Sequence, residues 1–221
     1  MLPVLPPRWL QPIIRPAAVH RLRVGAPGIH DRRSEKEVAG REGRIAVGAR
    51  LRPLHSGGVL AGPALIVKTH LGDNLMVHKA LQIAEPGDVI VVDAGGDLTN
   101  AIIGKLILTH AEKIGLAGIV INGAEHDYGA IRANRFPLFA AGVTHRGPYK
   151  DGLSEINVPI AIDGIVVEPG DLILGDDDGL LCVPFGDTAT IHADAKAKQE
   201  AADMLYARAR ATQAHLTNSR R

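Results

Sequence analysis

Two short stretches of this 221-residue chain hold the residues best suited to chemistry. In GIVINGAEHDYGAIRAN an apolar run ends at Asn122-Gly123, and Glu125, His126 and Asp127 follow at once. An imidazole next to a carboxylate can move protons, and a carboxylate can hold a hard cation. In DAGGDLTNAIIGKLI, glycines precede a helical segment whose first amides, around Gly104, Lys105, Leu106 and Ile107, are free to hold a small carboxylate. Plainer readings compete with both. A polar cluster after a strand is an ordinary solvated loop, and Asp127 is a residue type that caps a helix, here over YGAIRAN.

Other chemistries find no support in the spacing. DAGGD lacks the G-x-G-x-x-G fingerprint and any Walker lysine, so a dinucleotide or triphosphate site is excluded. DDDG at 176–179 lacks the remaining ligands of a calcium loop and reads as a charged turn. His70, His78, His110, His145 and His192 are scattered without zinc-site spacing, and no G-x-S-x-G elbow occurs. Cys182, the single cysteine, lies in the apolar run GLLCVPF and reads as a buried, inert thiol of an intracellular protein. A formal charge of +1 and 3% aromatic residues give neither a basic stripe nor stacking platforms, so no nucleic-acid partner is expected. No run of 18 apolar residues occurs, so no membrane span is expected.

The elements that must position these residues read as alternating strands and helices. GVLAGPALIVKT reads as a strand interrupted at Gly62-Pro63, and GDNLMVHKALQIA as a helix opening at Asp73 or Asn74. After the turn in EPGDVIVVDAGGD comes a β-branched buried strand, and LTNAIIGKLILTHAEKIGLAG shows helical apolar spacing. GIVING is the next strand, so a βαβ unit and a partly parallel sheet follow. GAIRANR reads as a short helix. INVPIAIDGIVVEPGDLILGDDDGLLCVP reads as successive strands with turns at Asp163-Gly164, Pro169-Gly170 and Asp178-Gly179. The alanine-rich segment from TATIH onward reads as a final helix ending in a frayed tail. Pro3, Pro6, Pro7, Pro12 and Pro16 forbid a continuous N-terminal helix, and the apolar runs there are too short for a signal peptide.

Taken in order, LAGPALIVKT, GDNLMVHKAL, PGDVIVVDAGGDLTNAIIGKL, GIVINGAEHD, FPLFAAGVTHRGPYKDG and INVPIAIDGIVVEPGDLILGDDDG resemble the RraA-like family. That group holds class II pyruvate aldolases acting on 4-hydroxy-4-methyl-2-oxoglutarate, and the related regulator of ribonuclease E activity. The resemblance runs from about Gly40 to Ala201. It implies an α/β fold of the swivelling β/β/α sandwich type, in trimers or hexamers with active sites between subunits. It also implies a lyase that cleaves 4-hydroxy-2-oxo acids to pyruvate or decarboxylates oxaloacetate, using Mg²⁺ or Mn²⁺. The alternative within the family is a non-catalytic regulator that acts by binding another protein. Cytoplasmic localisation is expected.

In the aldolases an acid, twenty intervening residues and an Arg-Asp pair hold the metal and the pyruvyl group. Matched onto this chain, Asp127 is the metal anchor, the amides of Gly104, Lys105, Leu106 and Ile107 hold the substrate carboxylate, and Glu200 or Asp203 of a neighbouring copy adds an acid. Lys105 stands where the family's first acid belongs, His126 where its arginine belongs, and Asn122 where a further acid is usual. Lys105 and His126 are therefore the altered catalytic positions: the lysine gripping the substrate carboxylate, or forming a Schiff base with the 2-oxo group, and the histidine shuttling a proton. By the same match the chain divides into an ill-matching segment 1–40, an aldolase-like domain 41–205 and a helix end and tail 206–221. Segment 1–40 lacks the family's opening helix, as a shifted reading frame or misplaced start would leave it.

Overall fold

A computed structural model of the chain describes residues 50–152 and 154–218. The expectations for segment 1–40 lie outside these residues. Strand β1 is Arg52–Pro53, β2 Leu60–Lys68, β3 Val89–Asp93, β4 Ala101–Ile103, β5 Gly118–Glu125 and β6 Leu138–Val143. Later come β7 Glu155–Ile156, β8 Ile160–Ile162, β9 Ile165–Val167, β10 Leu172–Asp176 and β11 Gly179–Val183. The helices are α1 Leu75–Ile83, α2 Lys105–Lys113, α3 Tyr128–Arg132 and α4 Thr188–Asn218. The nine-stranded sheet runs β1-β6-β5-β3-β2-β10-β11, with β4 also on β5 and β7 also on β2. The pairs β2–β3, β3–β5, β4–β5 and β5–β6 are parallel, as the βαβ reading required.

Two expectations about individual elements are corrected. Strand β2 is not interrupted at Gly62-Pro63; it runs on and changes partner there. Gly62 and Pro63 pair antiparallel with Ile173 and Leu172 of β10, and from Ala64 onward the strand pairs parallel with β3. Proline has no amide to give a ladder, so it sits where one ladder hands over to the next. Gly62 serves a different need: a Cβ there would stand 2.2 Å from the Gly87 carbonyl oxygen. The helix expected over LTNAIIGKLILTHAEKIGLAG begins only at Lys105. Its leading part is strand β4, whose Ala101, Ile102 and Ile103 are fully buried. A short apolar run has no periodicity of its own, and β-branched Ile102 and Ile103 settle into the ladder instead.

The sheet's alternation builds two cores. Ile90, Val92, Ile119 and Ile121 face α1 and α2, packing with Val77, Leu81, Leu108 and Ala111. Val89, Val91 and Val120 face the other way, onto Phe139 and the β8–β9 hairpin through Ile160 and Ile162. That hairpin turns at Asp163 (φ +48°) and Gly164 (φ +85°), where the sequence placed its turn. Helix α4 begins at Thr188 and packs through Ile191 and Ala195 onto β10 and β11.

One buried carboxylate holds α1 in place. Asn74 occupies the cap position without a side-chain cap bond, and Asp73 serves instead. Its Oδ1 accepts the Leu75 amide at 2.9 Å, and its Oδ2 accepts the amides of Asp151 and Gly152 at 2.6 and 2.8 Å. One side chain thus joins the helix start to a loop almost eighty residues away. Asp73→Ala leaves these donors without an acceptor and should cost about 2–4 kcal/mol. Chemical denaturation should show it as a lower midpoint at unchanged slope; a loss below about 0.5 kcal/mol would mean that water takes over the three amides.

Candidate functional site

Strand β5 is central, with β6 on one flank and β3, then β4, on the other, so its carboxyl end is held from both sides by β6 and β4. There the chain turns sharply. Asp127 adopts a left-handed conformation (φ +66°, ψ +29°), one that aspartate tolerates better than most residues. It precedes α3 at the cap position, yet makes no side-chain cap bond to that helix. Its Oδ2 instead accepts the Lys105 amide at 3.0 Å, the first residue of α2. The same oxygen accepts a hydrogen bond from His126 Nδ1, also at 3.0 Å. The Lys105 amide, then the His126 bond, hold the Asp127 carboxyl below the usual carboxylate range. It is charged at neutral pH, and its role as a cap for α3 is excluded.

Gly104 makes this arrangement possible. A Cβ at Gly104 would lie 2.0 Å from His126 Cε1 and 2.5 Å from both ring nitrogens. The imidazole therefore lies against bare backbone at the start of α2.

A cavity of about 550 Å³ opens at this corner, lined by Lys105, Asp127, Tyr128, Gly129, Ala130, Val143, Thr144 and His145. Of the residues singled out from the sequence, Lys105 and Asp127 lie on its wall, while His126 does not and meets it only through Asp127. Ile107 faces the main core, and Leu106 is 87% exposed. The Lys105 amide is already given to Asp127, which leaves those of Leu106 and Ile107 as helix-start donors without intrahelical acceptors. His145 was missed: it has no partner at recognisable spacing, and the β5–β6 pairing with the bond from the Ala101 amide to the Arg146 carbonyl brings its loop to this corner.

Glu125, named beside His126 and Asp127 but given no role, lies apart from them. It is 0% exposed, and neither carboxylate oxygen has a hydrogen-bond partner. In the ladder it pairs with Ile103 and Val143, and paired residues of neighbouring strands share a face. Its side chain thus lies on the face of core residue Ile103 and cavity residue Val143. Burial, with the nearby Asp127 charge, pushes its carboxyl up to about 8.

Asn122 belongs to another network. It accepts a short hydrogen bond from the Arg50 guanidinium and donates to Asp93 Oδ1 at 2.8 Å, while its carbonyl receives the Gly96 amide at 2.9 Å. An acid at this position would face Asp93 directly, so the amide suits its neighbours.

The RraA-like (Aldolase/RraA) family model matches residues 27–182. The chain belongs to the RraA-like family. It is 43% identical over 158 residues to a candidate 4-hydroxy-4-methyl-2-oxoglutarate aldolase of Halalkalibacterium halodurans, covering 72% of this chain and 75% of that one. It is 38% identical over 112 residues to a 4-hydroxy-4-methyl-2-oxoglutarate aldolase of Thermus thermophilus, covering 51% of this chain and 68% of that one. The structure of the RNA-processing inhibitor RraA from Thermus thermophilus superposes with a TM-score of 0.63 at 30% identity, covering 70% of this chain and 93% of that one. The mixed α/β fold with its partly parallel sheet is thus the RraA-like fold. Among the described residues, no helix is long and apolar enough to cross a membrane.

The divalent cation of this RraA-like reading does not fit the donors present. Among the described residues, no three His, Cys, Asp or Glu side chains are grouped to hold a metal. Asp127 offers one oxygen, since Oδ2 is given to His126 and Lys105. Glu125 does not supply a second carboxylate there: it is buried and absent from the cavity wall. Lys105 on the same wall adds like charge and only donors, whereas a hydrated cation's waters need acceptors.

Burial of Glu125 has a consequence for stability against pH. Its folded pKa lies above the ordinary 4.5, so the unfolded chain gives up this proton first. The contribution is complete below about pH 4.5, declines as pH rises, and is fully lost above about pH 8. Glu125→Gln should flatten that decline, measured as unfolding free energy at about pH 5 and about pH 9. An equal decline in the variant would mean that Glu125 is not the group being titrated.

Proposed function

We propose that the chain is a carbon–carbon lyase of 2-oxo acids, cleaving 4-hydroxy-2-oxo acids to pyruvate or releasing CO₂ from oxaloacetate. What carries this reading is a charged aspartate, Asp127, on the wall of a cavity it shares with a lysine and a histidine, in a family that contains named aldolases. Lys105 pairs with the substrate carboxylate. Asp127 orients the 4-hydroxyl, and His145 accepts its proton. The hydroxyl oxygen then closes to a carbonyl as the C3–C4 bond breaks, and the bond's electrons pass to the C2 keto oxygen as an enolate. Return of a proton to C3 yields pyruvate. With oxaloacetate the departing fragment is CO₂, and only the final protonation is needed. His126 is a positioning residue that fixes the Asp127 carboxylate.

The cavity's neighbourhood is apolar: Leu106 is exposed at the start of α2, and Tyr128 and Val143 are exposed on the wall itself. This fits a homo-oligomer, trimer or hexamer, in which another copy covers the opening and its α4 brings Glu200 or Asp203 near. A regulatory reading draws support from the likeness to the Thermus RNA-processing inhibitor, and predicts no turnover.

Pyruvate release from 4-hydroxy-4-methyl-2-oxoglutarate and from oxaloacetate, followed by coupled reduction to lactate, should detect turnover. Asp127→Ala and His145→Ala should each lower kcat by roughly 10²-fold or more while the fold is retained. Absence of pyruvate from both substrates, with and without Mg²⁺, would reject the lyase in favour of the regulator.

A further inference from the structure

Resting on the 2-oxo-acid reading, we infer that Lys105 supplies, as an ammonium ion, the positive charge that the family resemblance assigns to a divalent cation, so the cavity binds 2-oxo acids without metal. The first support is position. Lys105 is the one permanent cation among the described residues lining the cavity, and Asp127 stands on the same wall. The second is anchorage. The Lys105 amide is bound to Asp127 Oδ2 at 3.0 Å, and its carbonyl receives the Thr109 hydroxyl at 2.9 Å. The lysine backbone is thus fixed at both ends, and its side chain starts from a set point beside the carboxylate.

The third support is the donor set. A site for a hydrated divalent ion needs carboxylates to hold the ion and acceptors for its waters, and within one copy this wall presents one carboxylate with one oxygen uncommitted. An oxo-acid anion entering the same cavity needs a cation, because an unpaired carboxylate removed from water is costly. The imidazole of His126 cannot provide that cation, since it is held against Gly104 and outside the cavity lining. The replacement of an acid by a lysine at position 105 therefore converts a metal-holding corner into an anion-holding one. The lysine pairs as a charge and forms no covalent bond to the substrate.

Oxalate, an analogue of the pyruvate enolate, is the probe, with binding to the full chain read by calorimetry in EDTA and again in Mg²⁺. The unmodified chain should bind oxalate in EDTA, with affinity changed less than about twofold by Mg²⁺. Lys105→Met should lose roughly tenfold or more in either condition. Lys105→Glu should bind oxalate only when Mg²⁺ or Mn²⁺ is added, because it restores an acid beside Asp127. Circular dichroism and melting confirm that each variant folds, and the methionine variant decides the matter should the glutamate variant fail to fold. Oxalate binding by the unmodified chain only with Mg²⁺ would overturn the inference and leave the lyase reading intact. Borohydride treatment with pyruvate should leave the mass of the chain unchanged; a reduced adduct on Lys105 would overturn the charge role in favour of an imine. Neither oxalate binding nor pyruvate release in any condition would sink the lyase reading itself.

Discussion

The corner where strand β5 ends depends on a single carboxylate oxygen. Asp127 Oδ2 takes the amide of Lys105 and the Nδ1 proton of His126, and so ties the end of a central strand to the start of α2. The residue that does this sits at positive φ, a conformation that costs a non-glycine residue about 1–2 kcal/mol. The strand before it admits little adjustment, because β5 is paired on both flanks and all eight of its residues are buried. The aim of Asp127 is therefore inherited from the whole sheet, and its charge from the two donors it meets. Removing those donors would free the side chain to serve as an ordinary cap of α3, which is the role its place in the sequence advertises.

Much of the scaffold was legible because it rests on local chemistry. Asp163-Gly164 turns a hairpin by turn propensity alone, and the β-branched run VIVVD can be little else than a buried strand. Where the reading failed, tertiary context decided. Ala101–Ile103 carries helical spacing and becomes a strand because β5 offers it an edge at its carboxyl end. Gly62-Pro63 looks like a break and is a change of partner, visible only once β10 is known to lie on the same strand. At the site, the Lys105 amide meets Asp127 Oδ2, and both residues line one cavity. His145 could not be found, since nothing in GVTHRGP marks a segment that lines a cavity with the start of α3.

Glu125 and Asn122 show how neighbours at one strand end can have opposite fates. They lie three residues apart and both fall in the motif that carries the family resemblance. Asn122 is fully engaged, between Arg50 and Asp93, and its amide is the one side chain of that size able to accept from the first and donate to the second. Glu125 has no such partner and is kept neutral by burial. Burial first, and the Asp127 charge second, raise the cost of ionising Glu125, while the Lys105 amide and His126 keep Asp127 charged. Environment separates the two carboxyls, burial raising one and hydrogen-bond donors lowering the other.

The resemblance implies an arginine at position 126 and an acid at position 105, where this chain has His126 and Lys105. Histidine is short. Its ring reaches Asp127 Oδ2 and fills the space that a Gly104 side chain would need, and at that point its length is spent. An arginine starting from the same Cα is longer, and its planar fork could grip a carboxylate beyond Asp127. With the ring held against Gly104, the fixed positive charge on the cavity wall comes from the opposite element, at the first turn of α2. Lys105 stands there, with its amide already bound to the same aspartate. Against the pattern the resemblance implies, the cavity's positive charge stands at the start of α2 rather than at the end of β5, with Asp127 bonded to both elements.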